Sequence, residues 1–185
     1  MKHANIAIFV PHNGCPHQCS FCDQKKITGT NYQPQKSDVI HACEIAKRSL
    51  NDSKCESEIA FFGGSFTAID KNYMLELLDA AYGYVKDGTF SGIRISTRPD
   101  AISEEILKLL KERGVTSIEL GCQSMDDEVL ALNDRGHTKD DVIYSSNLIK
   151  QYGFSLGLQM MVGLYGSTIE KDLKTAQEIV KLKPD

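Results

Sequence analysis

"GIRISTRPDAISEEILKLLKERGVTSIELGC", residues 92–122, runs from one β-rich segment through an amphipathic segment into a second β-rich segment. GIRIST (92–97) and SIELGC (117–122) carry the branched residues that suit a strand. Between them Ile106, Leu109 and Leu110 recur on one helical face, with Ser103 placed to cap the start and Gly114 to end it. Strand, helix and strand in succession make a βαβ unit, whose crossover is right-handed and whose strands are parallel.

The same alternation extends in both directions. NIAIFV (5–10), SEIAFF (57–62) and SLGLQMMV (155–162) read as three further strands. Several of the five are nearly continuous apolar runs, as expected of parallel strands covered on both faces. Helices are predicted from about Ser37 to Leu50, along the Met74, Leu77, Leu78, Ala81 and Val85 stripe, and from about Thr138 to Tyr152 before Gly153. Ser167-Thr168-Ile169-Glu170 reads as a capping box opening a last helix through Leu173, Ala176 and Val180. Five strand–helix units imply a parallel α/β sheet, either doubly wound or curved into a barrel, and periodicity does not choose between the two. The last helix is followed at once by KLKPD, where another strand is due. The expectation is therefore one domain over residues 1–185, incomplete at its C-terminal end and with no second domain.

Composition bounds the function classes. The 185 residues contain 41% apolar and 25% charged residues with a net charge of −4, so no broad basic face for a phosphate backbone is advertised. The only small basic cluster is Gln24-Lys25-Lys26. No apolar segment approaches the roughly 18 residues needed to span a bilayer, and MKHANIAIFV lacks the features of a secretion signal. No membrane role and a cytoplasmic location are expected. Of the six cysteines, Cys43 and Cys122 fall within helical and strand patterns as small buried apolar residues, and Cys55 reads as an isolated loop thiol.

The other three stand together in GCPHQCSFC, residues 14–22, directly after the first strand. The carboxyl ends of parallel strands are where α/β proteins bind ligands, so position alone favours a site. Clustered thiolates suit zinc or an iron–sulfur cluster, which usually take four protein ligands. Cys15, Cys19 and Cys22 supply three. A zinc site would draw its fourth ligand from His12 or His17; an iron–sulfur cluster would keep one iron open for a small molecule bearing an amine and a carboxylate.

The CxxxCxxC spacing, with Phe21 before the last cysteine, resembles the radical S-adenosylmethionine superfamily. The likeness extends along the chain. Gly63-Gly64-Ser65 is similar to the glycine-rich motif that holds the methionine amine, with Ser65 where Glu often stands. Ser96-Thr97-Arg98-Pro99-Asp100 follows the third strand, with Ser96 near the position of a carboxylate in many relatives and Arg98 as another contact for a carboxylate. Glu119, Gln123, Arg135 and His137 resemble the Gly-x-Gln-Ser and Arg-Gly-His-Thr elements of the Elongator catalytic subunit and of oxygen-independent coproporphyrinogen oxidase. Gln159 to Ser167 is similar to the glycine-containing strand end that lies along adenine.

The resemblance implies a TIM-like partial barrel with five of an expected six strand–helix units. It implies a 4Fe-4S cluster on Cys15, Cys19 and Cys22, and S-adenosylmethionine held by Phe21, Gly63, Gly64, Ser65, Ser96, Gln123, Arg135, Gln159 and Gly163. Reductive cleavage of S-adenosylmethionine to a 5′-deoxyadenosyl radical would follow, with a flavodoxin or ferredoxin as reductant. Modification of tRNA is the substrate class suggested by the Elongator likeness. A porphyrin-like or other small molecule is the alternative on the coproporphyrinogen oxidase side, and a structural zinc module is the alternative outside enzymes.

Overall fold

In a computed structural model, which describes residues 2–11, 19–22, 32–50 and 55–185, five strands form one parallel sheet. They are β1 (Lys2–Val10), β2 (Cys55–Gly63), β3 (Gly92–Thr97), β4 (Val115–Gln123) and β5 (Ser155–Met160). Their order in space is their order in the chain. A doubly wound sheet reverses its strand order at a switch point, which puts helices on both faces. Without a reversal, successive right-handed crossovers put every helix on one side, and the sheet bends into an arc of a barrel.

The helices are α1 (Lys36–Leu50), α2 (Lys71–Lys86), α3 (Glu104–Glu112), α4 (Asp127–Leu132), α5 (Lys139–Gln151) and α6 (Ile169–Lys181). The principal core lies between them and one face of the sheet. Ile6, Ile8, Ile59, Phe61, Ile93, Ile95, Ile118, Leu120 and Leu156 meet Val39, Cys43, Leu77, Leu78, Leu107, Leu110 and Ile149 there. A smaller cluster of Cys122, Met125, Val142 and Ile179 seats α6. Among the described residues no helix is long and apolar enough to cross a membrane.

The caps follow local chemistry. Ser103 accepts from the Ile106 N–H, and Thr138 with Asp141 forms a reciprocal capping box. Gly114 takes φ +72°, as a helix-ending glycine should. Three expectations need correction, and one element is an addition. The last helix is capped by Thr168, which accepts from Lys171 N, while Ser167 turns its hydroxyl to Asp172. Cys55 opens β2 instead of standing in a loop. The fifth strand ends at Met160, two residues early, and Met161 pairs its N–H with the Gln123 carbonyl. The short helix α4 was not expected; Asp126 caps it by accepting from Val129 N.

The face of the sheet opposite the helices is polar. Glu58 on β2, Arg94 on β3 and Glu119 on β4 lie side by side there. Arg94 donates from Nη2 to Glu58 at 2.8 Å and from Nη1 to Glu119 at 3.0 Å. Glu58 also accepts from Thr116 and Ser117 at 2.9 and 3.3 Å. Inside an arc the strands present alternate residues to a shared concave space, and charged groups there need partners. This row supplies them.

Candidate functional site

Above the charged row, at the carboxyl ends of the strands, lies a cavity of about 330 Å³. Cys19, Phe21, Cys22, Gly63, Gly64, Ser65, Ser96, Gln123, Arg135 and Gln159 all line it, together with Phe62, Thr97, Arg98 and Gly121. The structure thus brings to one place residues from β2, β3, β4, β5 and the loop after β1. Gly163 is elsewhere: it takes φ +76° in the turn after β5 and donates its N–H to Asp172 at 2.9 Å. Cys15, His12, His17 and the Gln24-Lys25-Lys26 cluster lie outside the described residues.

Cys19 and Cys22 are brought together by a tight turn in which the Cys22 N–H donates to the Cys19 carbonyl at 3.0 Å. Among the described residues no three metal-binding side chains form a group. Two thiols on the wall of a cavity whose other walls carry glycines and amides fit the soft donor set of an iron–sulfur cluster, with space beside it for a ligand. The remaining cysteines with described side chains do not compete. Burial pushes the Cys43 and Cys122 thiols up to about 12, which leaves them protonated and inert.

Gly63 closes β2 with φ +115°, and a Cβ there would sit 2.5 Å from the Phe9 ring. Only glycine fits. Gly64 spends its N–H on the Val10 carbonyl at 3.0 Å. Its carbonyl is what it can offer a ligand, and Ser65 then opens a single turn, Phe66–Ala68.

Ser96 and Gln159 are oriented by Glu119, which accepts from the Ser96 hydroxyl at 3.2 Å and from Gln159 Nε2 at 2.8 Å. Gln123 is aimed by a backbone irregularity. The β4–β5 register slips between Gly121 and Gln123, and Gln123 takes φ +66°. A bulge of this kind re-aims a side chain at a strand end, and a left-handed conformation in a non-glycine residue is a local cost kept where the geometry is used. Nothing in the alternation of the sequence marks it.

Arg98, which the sequence offers as a contact for a carboxylate, is 2% exposed. It pairs with Asp100 and donates to the Arg135 carbonyl. Thr97 bonds the Thr67 hydroxyl at 2.6 Å, and Thr67 donates to the Ala101 carbonyl at 2.8 Å, which fixes this wall. Arg135 donates to Cys19 Sγ at 3.3 Å and to the Gly121 carbonyl at 2.5 Å. Asn133, unmarked in the sequence, ties the same segment down. Its side chain accepts from the Ser20 hydroxyl at 2.9 Å and donates to the Val129 and Tyr165 carbonyls at 2.8 and 2.9 Å.

His137 faces the back of this segment. Its Nε2 lies 3.2 Å from the Cys122 carbonyl, so Nε2 carries the proton, and Nδ1 is buried with no partner among the described residues. Burial, reinforced by the Arg135 guanidinium, pushes its imidazole down from 6.5 to about 4. The folded state therefore holds it neutral, while the unfolded chain takes up a proton below about pH 6.5. Stability from this group is full above that pH and is lost as pH falls toward 4. Between pH 7 and 4.5 the loss is expected to be about 2 to 3 kcal/mol. Urea unfolding at the two pH values should show a smaller loss in His137→Gln, whose amide can keep the Cys122 bond. Equal losses in the two proteins would remove His137 as the cause.

The strand-end geometry has parallels in known proteins. A profile of the radical SAM superfamily matches residues 9–179. The tRNA uridine(34) acetyltransferase of Dehalococcoides mccartyi is 27% identical over 211 residues, covering 94% of this chain and 44% of that protein. The heme chaperone HemW of Bacillus subtilis is 32% identical over 165 residues, covering 84% of this chain and 42% of that protein. Among solved structures, Methanocaldococcus infernus Elp3 with an N-terminal deletion superposes with a TM-score of 0.70 at 26% identity, covering 96% of this chain and 42% of that one. The chain spans less than half the length of these relatives. With a profile match over nearly its whole length, and with thiols, glycines and amides meeting at the strand ends, the chain belongs to the radical SAM superfamily of enzymes.

Proposed function

We propose that the chain binds a 4Fe-4S cluster through Cys15, Cys19 and Cys22 and cleaves S-adenosylmethionine reductively, with a flavodoxin or ferredoxin supplying the electron. The observation that carries this is the single cavity shared by two of the three thiols and the ends of four strands. The cluster held by Cys15, Cys19 and Cys22 would, when bound, supply the electron for reductive cleavage of S-adenosylmethionine into methionine and a radical able to take hydrogen from a substrate.

The residues divide the work by hydrogen-bond polarity. Gly64, its N–H already used by Val10, offers a carbonyl acceptor, which is what the methionine amine needs. Ser96 donates its only proton to Glu119, and Gln159 donates an amide proton to the same carboxylate. The Ser96 oxygen lone pairs and the Gln159 carbonyl are then the groups left for a ligand, suited to hydroxyl donors such as those of ribose. Gln123, turned by the bulge, adds an amide with both polarities.

For substrate, tRNA modification is the proposal. The relatives named as tRNA uridine(34) acetyltransferase and Elongator complex protein 3 support it. Anaerobic reconstitution with iron and sulfide, then reduction with dithionite in the presence of S-adenosylmethionine, tests the chemistry. About four irons per chain, with 5′-deoxyadenosine and methionine as products, are expected. A colourless protein holding one zinc and making neither product would sink the proposal. Deuterium carried from labelled tRNA into 5′-deoxyadenosine would establish the substrate class, and its absence with transfer from a porphyrinogen would reverse it.

A further inference from the structure

Resting on that reading of the cysteine loop, we infer that Arg135 acts on the cluster through Cys19. Its hydrogen bond to the coordinating thiolate raises the reduction potential, and the Asn133 tether keeps it in place.

Residues 19–22 have their described long-range grip in one segment. Ser20 donates its backbone N–H to the Asn133 carbonyl at 3.2 Å and its hydroxyl to Asn133 Oδ1 at 2.9 Å. Arg135 Nη1 lies 3.3 Å from Cys19 Sγ, and its guanidinium carbon is 5.8 Å from the centre of the Phe21 ring. The middle cysteine, the aromatic residue and the serine between them are therefore held by two side chains that are two residues apart.

The guanidinium itself is fixed. Nη2 donates to the Gly121 carbonyl at 2.5 Å, and the Arg135 backbone carbonyl accepts from buried Arg98. Gly121 has no side chain to interfere: a Cβ there would come within 3.3 Å of Arg135 Nη2 and 3.0 Å of Gln123 Nε2. Arg135 is 7% exposed, and its Nε is buried with no partner among the described residues. A cation so buried, with one N–H aimed at sulfur, is weakly screened by solvent.

A hydrogen bond to a cluster-ligating sulfur draws electron density from it and favours the form with one more electron, and such bonds are among the levers that set cluster potentials. A cation nearby acts in the same direction. The fork geometry matters because one planar group must reach the Gly121 carbonyl and the Cys19 sulfur together; a lysine ammonium brings the charge without the fork.

The test is redox titration of the anaerobically reconstituted protein, followed by the electron paramagnetic resonance of the reduced cluster. Arg135→Gln is expected to make reduction about tenfold less favourable, a midpoint ~59 mV lower for a one-electron couple. Arg135→Lys is expected to fall between the two. Arg113→Gln removes a positive charge that pairs with Asp79 on the outer helices and is expected to leave the midpoint unchanged.

An unchanged midpoint in Arg135→Gln overturns the inference while leaving the cluster assignment intact. So does an equal shift in Arg113→Gln, which would mark a general charge effect. If the Gln protein loads iron poorly, the loaded Lys variant decides, and a wild-type midpoint there overturns the inference. Wild-type protein that takes up no iron overturns the cluster assignment and the inference with it, a result distinct from the others because it precedes any variant.

Discussion

Cys19→Ala should abolish cluster binding: iron per chain falls from about four to near zero, and 5′-deoxyadenosine formation falls to background. With the proposed ligation by Cys15, Cys19 and Cys22, the remaining two cysteines cannot hold the cluster. Loss of metal is also loss of the energy that orders the loop, so the variant should show its cysteine segment open to proteolysis while the helices keep their circular dichroism. The side chain lost is 5% exposed and bonded to Arg135, so a modest drop in stability is expected as well. Cys43→Ala and Cys122→Ala serve as controls. Both thiols are fully buried on the helix side of the sheet, and their removal should leave the iron content unchanged. Retained cleavage in Cys19→Ala would refute the assignment of that ligand.

The second large effect concerns the charged row beneath the cavity. Arg94→Met is expected to cost about 3 kcal/mol of unfolding free energy at neutral pH, measured by urea titration. The arginine is the cation shared by Glu58 and Glu119, and the side chains of all three are at most about a quarter exposed. Removing the arginine takes its charge away from two carboxylates that have lost solvent. Glu58 keeps its bonds from Thr116 and Ser117, and Glu119 those from Ser96 and Gln159, which holds the cost near the lower end of the range for broken buried pairs. Adding Glu58→Gln should recover a substantial part of the loss. If the double variant is no more stable than Arg94→Met, the loss comes from packing of the arginine stem and not from the stranded charges.

What could be read from the sequence, and what could not, divides by the range of the physics. Helix faces, Ser103 as a cap, and the alternation of strand and helix along the chain depend on neighbours a few residues apart, and the pattern carries them. Adjacent helices on one face follow from strand order, which periodicity alone does not contain. Cys19, Cys22, Phe21, Gly63 to Ser65, Gln123 and Arg135 were legible as a group through family likeness, and the shared cavity is where the fold puts them. Arg98 was not legible as a buried residue, because Arg before Pro says nothing about a carbonyl at Arg135 waiting for it. The bulge at Cys122 was also hidden, since the residues around it alternate as in a regular strand. Gly163, a glycine in a resembling stretch, takes a left-handed turn and is not among the residues lining the cavity. Asn133 carries no local signal, and only the folded chain reveals that its amide joins three segments.

The grip of Asn133 and Arg135 on the cysteine segment spans 113 and 116 positions of chain. A ribosome adds about 5–20 residues per second, so the cysteines emerge roughly 6 to 23 seconds before the side chains that hold them. During that interval the thiols are nascent and unclasped, exposed to oxidation and to whichever metal arrives first. For the proposed cluster, delivery of iron is thus best timed after the fourth strand has left the tunnel, and the order of synthesis becomes a constraint on how the enzyme matures.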